Sequence, residues 1–365
     1  MSAFKTFLDV MPVLLLFALG VGLRSWKILD PATTAGLKSI VVNLALPVLL
    51  FDAFFRLRPD SRTAFLVIAV FASCILMVFV GRLASRVVGL DSPYAPLMFE
   101  GFEAGMLGYG LFLGIAGDAN LPFFAACDLG QVLFVFSVLQ AQLLSLPARL
   151  SSKSAARGPG RGGADPGAEL ETARERARSL VLNFLRSPIV LAILLGLVAG
   201  LVARELAASG STGASAFIAA GTPAGAALSP AAPDPVALFA GPFWHLVAIL
   251  KSLTVPLICF VIGSGIELDR ENLAFALKLT ATRIVLLAAL AFAVGELFAR
   301  RLLGLPDIYR FAVLVLFLLP PPFVIAVFMP VHDEAENRRV ATTLSTHSLA
   351  SIVAVAAAAA FFGAA

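Results

Sequence analysis

Ten blocks of apolar residues, each roughly 20 long, are divided by short stretches that carry proline, glycine and charge. They fall near 7–24, 36–55, 63–86, 95–117, 121–147, 187–206, 243–266, 275–299, 308–330 and 340–363. About 20 helical residues cross a ~30 Å hydrocarbon core at ~1.5 Å per residue. No soluble fold of 365 residues could hide this surface, because 59% of the chain is hydrophobic and 14% charged, against about 25% charged in ordinary soluble domains. The expectation is an all-α integral membrane protein of ten transmembrane helices whose natural partner is the lipid bilayer. The first block carries Lys5 but no convincing small-residue cleavage site. It is therefore expected to be a span and not a leader.

The excess of basic residues, a formal net charge of +4, reads as topology and gives no reason to expect nucleic acid. If sides alternate, the side facing residues 148–186 holds 17 of the 27 Lys and Arg residues and the opposite side eight. The positive-inside rule then puts that loop in the cytoplasm and both termini outside, in a multi-pass protein of the cell's inner (plasma) membrane. The organisation expected is a five-helix unit over 1–147, a cytoplasmic loop and lead-in helix over 148–186, and a second five-helix unit over 187–365. Cys74, Cys127 and Cys259 lie in three different blocks and fit neither a metal motif nor a disulfide framework.

The two halves echo each other. LALPVLLFDAF (Leu44 to Phe54) in the second block matches LTVPLICFVIG (Leu253 to Gly263) in the seventh, with Pro47 and Pro256 aligned. The fourth block is broken by Gly101, Gly105, Gly108 and Gly110, and the ninth by Pro320, Pro321 and Pro322. A repeat after five crossings has inverted orientation, and matched interruptions of this kind mark a substrate site in inverted-repeat carriers. Both helices are expected to unwind, near 104–108 and 319–322, and to cross. Broken helices expose backbone dipoles that a bilayer tolerates only where they line a cavity, and their N-terminal ends favour an anion such as a carboxylate. The substrate-binding candidates are Ala104, Gly105, Met106, Leu107, Gly108, Pro320, Pro321, Pro322, Gln131 and Thr346.

An ionisable group at membrane depth needs a reason, since its insertion costs at least about 2.5–3.5 kcal/mol. Glu100 and Glu103 stand three apart and would share a helical face before the break. Asp128 and Gln131 are also three apart, and the offset that pairs the broken blocks sets them opposite Thr343 and Thr346. The candidates for proton or ion coupling are Glu103 first, then Asp128, Glu100 and His347. Asp52 is expected near an outer, wet end, and Lys251 either snorkels, pairs with an acid or attracts anions. The three histidines are dispersed and no nucleophile elbow, phosphate loop or metalloprotease motif occurs, so an enzyme, a cofactor and a metal centre are not expected.

These residues resemble the auxin efflux carrier family, within the wider group of bile acid, arsenite and riboflavin transporters. The resemblance rests on LKSIVVNLALPVLLFDAF, LRSPIVLAILLGLVAGL, ILKSLTVPLICFVIGSGIEL, the glycine-rich fourth block followed by IAGD, the triple proline and TTLSTHSLAS. It implies a secondary carrier of organic anions, two inverted five-helix repeats crossing at helices four and nine, elevator-like movement and, as in many such carriers, a homodimer. The chain departs from the pattern at Glu100 to Gly105, where many members open the fourth helix with an Asn-x-Gly-type sequence, and at His347. The short central loop is similar to bacterial members. Two alternatives stay open: a sodium-coupled carrier of the bile acid type, favoured by the oxygens of Gln131, Thr343, Ser345 and Thr346, and a sensor or scaffold that does not transport. The coupling ion is thus H+ or Na+.

Overall fold

The computed structural model describes residues 3–58, 60–146, 186–221, 235–329 and 333–362. Nearly all of the central loop, residues 222–234 of the second long loop, and His332 lie outside the described residues. Every regular element among the described residues is helical. In chain order these are α1 (Ala3–Ser25), α2 (Pro31–Arg56), α3 (Ser61–Val87), α4 (Tyr109–Ala116), α5 (Asp118–Leu146), α6 (Pro188–Ala208), α7 (Thr212–Ala220), α8 (Pro235–Ser252), α9 (Thr254–Ser264), α10 (Leu273–Leu302), α11 (Asp307–Leu318), α12 (Val324–Val327) and α13 (Glu334–Phe362). Among the described residues, seven helices, counting the end-to-end pair α8 and α9 as one, are long and apolar enough to cross a membrane. The protein is a multi-pass helical membrane protein. Side chains such as Phe79, Leu83, Leu195 and Val285 remain exposed on helix flanks, which is expected where the solvent is lipid tails.

Helix ends follow local chemistry. Asp60 begins α3 by accepting the Thr63 N–H at 2.7 Å. Hydrogen bonds from the Thr63 side chain and N–H hold its carboxyl below the ordinary aspartate range. The cap therefore stabilises α3 above that range and is lost as pH falls through the lowered value. Proline sets the two aligned interruptions. Pro47 lacks the N–H that would bond back to residue 43, and α2 is wound as a π turn at Val41–Ala45. Pro256 lacks the bond to residue 252, and α8 gives way to α9 there. The two interruptions meet where the Thr254 hydroxyl donates to the Ala45 carbonyl at 3.5 Å.

The helices pack in two groups. α1 lies on α9, and α2 lies on both α6 and α8. The α2–α6 contact is close because a Cβ at Gly196 or Gly200 would stand 2.5 or 2.3 Å from the carbonyls of Phe51 and Phe55, the small-residue seam that lets membrane helices approach. The second group joins α3 to α5, α10 to α13, and α11 to α5, α10 and α13. Each group draws helices from both halves of the sequence. The site lies where α4 and the break after α11 stand between them.

Candidate functional site at two touching helix breaks

The chain leaves helical geometry at residues 100–103 and again at 319–323. After a 3-10 turn at Leu97–Phe99, Glu100 is extended and Gly101 takes φ +63°, a conformation that favours glycine. A Cβ at Gly101 would also lie 3.0 Å from Pro322 Cγ. On the other side, the three prolines end α11 with Leu319 extended. The breaks touch: the Glu103 N–H donates to the Pro320 carbonyl at 2.9 Å. Unwinding was expected at 104–108, but Ala104–Gly108 is wound as a π turn leading into α4. Gly105 and Gly108 lower helix propensity without breaking the helix. The turn is made one step earlier, by Gly101.

Because 100–103 is not helical, Glu100 and Glu103 do not share a face, and the expectation that they form a pair is corrected. Glu103 turns to the breaks. Its Oε1 accepts the Met106 N–H at 3.1 Å and its Oε2 accepts the Phe323 N–H at 2.7 Å. One carboxylate thereby satisfies a free donor at the start of the α4 segment and another on the opposite break. Glu100, fully buried, turns the other way and accepts from the Gln142 amide at 2.6 Å.

The opposing carbonyls are held by Arg283 of α10, which has no exposed surface. Its guanidinium donates to the carbonyls of Met98 at 2.7 Å, Gly101 at 2.5 Å and Leu319 at 3.5 Å, and lies 5.6 Å from the Phe102 ring centroid. Gln131 donates to the Phe102 carbonyl at 2.7 Å and to Asp128 Oδ1 at 3.3 Å, while the Tyr109 hydroxyl donates to Asp128 Oδ2 at 3.0 Å. Gln131 and Asp128 therefore support the first break from α5. Thr343 and Thr346 do not join them, since their hydroxyls donate to the Arg339 and Thr342 carbonyls of their own helix. A threonine in a helix has that back-bond within reach. His347 is buried with Nδ1 3.1 Å from the Ser351 hydroxyl, which itself donates to the Leu318 carbonyl at 2.6 Å. It braces the second break through Ser351.

A cavity of about 410 Å³ opens beside these breaks, lined by Met106, Phe323, Ala326, Val327, Leu344 and Ser345 on one side. Thr34, Lys38, Val261, Ile262 and Ile266 line the other. The walls are mainly apolar. Lys38 is the cation in the lining. Among the sequence candidates, Met106 reaches the cavity, whereas Ala104, Leu107 and Gly108 are packed in the core behind it. No family model matches the chain, and no curated protein matches it either.

At the far end of α4 the groups are tied by charge. Lys251 Nζ lies 2.5 Å from Asp52 and 2.6 Å from Asp118, and Arg56 lies 2.5 and 3.0 Å from the same two acids. Asp52 is 1% exposed, so the expectation of a wet outer aspartate is corrected. Two cations neutralise it where its place in α2 would otherwise make it costly. Of the three roles open to Lys251, pairing with acids is the one observed. Asp52→Leu should destabilise the protein by about 3–5 kcal/mol, as breaking a buried pair does, and Asp52→Leu/Lys251→Leu should recover part of the loss. Melting in detergent measures both. Wild-type stability for Asp52→Leu would show that the cluster is energetically idle.

Sequence reading undervalued four of these residues. Arg283 stands within an apolar block, and a mid-span arginine is the signal that marks it. In the sequence Lys38 is one of the cations that set topology, Asp118 the end of IAGD, and Tyr109 a member of the glycine-rich fourth block. Nothing in their spacing pointed to their partners.

Proposed function

We propose that the protein is a secondary carrier of a small organic anion, related to the auxin efflux carrier family, with the anion bound at the touching breaks and its movement coupled to protons. The observation that carries this reading is Glu103. Backbone N–H groups of Met106 and Phe323 converge on a single carboxylate at the edge of a cavity large enough for a small ligand. A substrate carboxylate is of the same chemistry as the group now accepting those donors. It can take them once Glu103 releases them, and protonation weakens Glu103 as an acceptor. Anion binding and proton binding are then linked.

The helix order supports ten crossings: the seven long helices, α1, and two interrupted crossings made by the α4 segment with Leu97–Phe99 and by α11 with α12. The aligned prolines and the mutual contact of the two breaks support an inverted repeat. With residues 148–186 cytoplasmic, the cavity lined by Lys38, Ile266 and Ser345 opens inward, and the Asp52–Arg56–Asp118–Lys251 cluster closes the outer side. Movement of the α3–α5 and α10–α13 group against the other would exchange these states in the manner of an elevator. Orientation is tested by a cysteine at Ser152: an impermeant thiol reagent should label it in inside-out vesicles and not in intact cells. Labelling in intact cells would reverse the assignment.

The direct test of function is binding to purified protein. Carboxylates should protect a cysteine placed at Val327 in the cavity from alkylation, and more strongly at low pH than at high pH. Protection by no carboxylate at any pH would remove the anion site.

A further inference from the structure

A second cavity of about 700 Å³ lies on the far side of the first break, lined by Arg82, Ser85, Arg86, Asp91, Gln142 and Leu146 among others. Its wall includes Pro96 and Leu97, a few residues before Glu100. Gln142 joins the two: its amide nitrogen donates to Glu100 Oε2 at 2.6 Å, and its carbonyl accepts from Arg82 at 3.0 Å. The other oxygen, Glu100 Oε1, is buried and accepts no hydrogen bond among the described residues. A buried carboxylate oxygen left in this way is costly and has a free position for a proton. The charged and titratable groups facing Glu100 are Arg82 and Cys74 from α3 and Arg283 from α10. No acid faces it from those helices, and Glu103, its neighbour along the chain, is committed to the opposite side of the break.

We propose that Glu100 is a second proton-binding site, beside Glu103, and that its proton enters through the second cavity, separately from the anion. A proton delivered from water in the cavity reaches Oε1 past Gln142, and the hydronium that supplied it remains behind as water. The carboxylate becomes a neutral acid and keeps its bond from Gln142. Loss of the negative charge removes the field of Glu100 from Arg283, which fixes carbonyls of both breaks. Protonation at Glu100 is thereby felt at the anion site although the two cavities do not share lining residues. This deepens the carrier reading and rests on it for its purpose, but the proton site itself is physically independent of transport.

Infrared spectroscopy of the full-length protein in lipid tests the site without needing a substrate. A pH titration should show carbonyl bands of protonated carboxyls, among them a band that Glu100→Gln abolishes and Glu103→Gln leaves. For the route, an Arg86→Cys variant is followed before and after reaction with a bulky neutral maleimide. The native cysteines Cys74, Cys127 and Cys259 are buried, which confines labelling to the new one. Maleimide should slow the appearance of the band after a pH jump. Persistence of every band in Glu100→Gln would overturn the site, and an unaltered rate after labelling would overturn the route. If the band behaves as expected but no carboxylate protects Val327→Cys, the carrier reading fails and the proton site stands.

Discussion

Glu103→Gln is expected to flatten the pH dependence of anion uptake and to tighten anion binding at neutral and alkaline pH. In the wild type, the carboxylate accepts two backbone N–H donors, from Met106 and Phe323. A carboxylate is acceptor-only and meets both donors well, whereas a glutamine offers one acceptor oxygen and turns its own N–H donors toward the other. The substitution therefore releases at least one backbone donor and removes the negative charge that opposes an incoming anion. Charge-assisted hydrogen bonds of this kind are roughly twice as strong as neutral ones, so the competing ligand lost is a substantial one. The sign follows directly. Wild-type binding should strengthen as pH falls, because protonation weakens Glu103 as a competitor. The variant should bind at acidic pH about as the wild type does, with no further change as pH rises. Uptake into vesicles and protection of a Val327→Cys reporter measure the two effects separately. An unchanged pH profile in Glu103→Gln, with the protein folded, would make Glu103 a structural cap and no more.

Arg283→Met should have the largest effect on the fold. Met has similar length and suits an apolar interior, so any loss reports the guanidinium and not a cavity. Its removal leaves the carbonyls of Met98 and Gly101, and the weaker contact at Leu319, without this donor, and leaves buried Glu100 with Arg82 alone of its two facing cations. Removing one partner of a buried charge system costs about 3–5 kcal/mol, and each orphaned buried acceptor about 1–3 kcal/mol. Those contributions overlap and do not simply add. Even the smaller one is a large share of a net stability of about 5–15 kcal/mol. The expected result is low yield and early melting in detergent. Arg283→Lys should recover only part of the loss, because a lysine supplies a point charge but not a planar fork able to span three carbonyls. Wild-type melting of Arg283→Met would mean that the breaks hold themselves in place.

How much of this was legible in the sequence differs from one feature to the next. The multi-pass helical character and the placement of the long helices follow from apolar blocks and punctuation, since length against bilayer thickness is a strong constraint. The break at Pro320–Pro322 was equally plain, because consecutive prolines cannot continue a helix. The fourth block was harder. Four glycines mark a weak helix but do not say which of them takes positive φ, and the structure uses Gly101. From that single displacement it follows that Glu100 and Glu103 part company, and the i, i+3 rule that paired them no longer applies. Long-range partners were not legible at all. Nothing local links Arg283 to Gly101, or Lys251 to Asp52 and Asp118, since each contact depends on how distant helices cross.

The central claim is that this chain moves a small organic anion with protons, and counter-flow in proteoliposomes tests it most directly. Purified protein is reconstituted with an unlabelled carboxylate inside, and labelled carboxylates are offered outside with pH and sodium varied separately. The account predicts that at least one carboxylate is exchanged, that net uptake rises toward low external pH, and that sodium has no effect at fixed pH. Exchange that requires sodium and ignores pH would contradict the proton coupling, and the absence of exchange for every carboxylate offered would contradict the carrier itself.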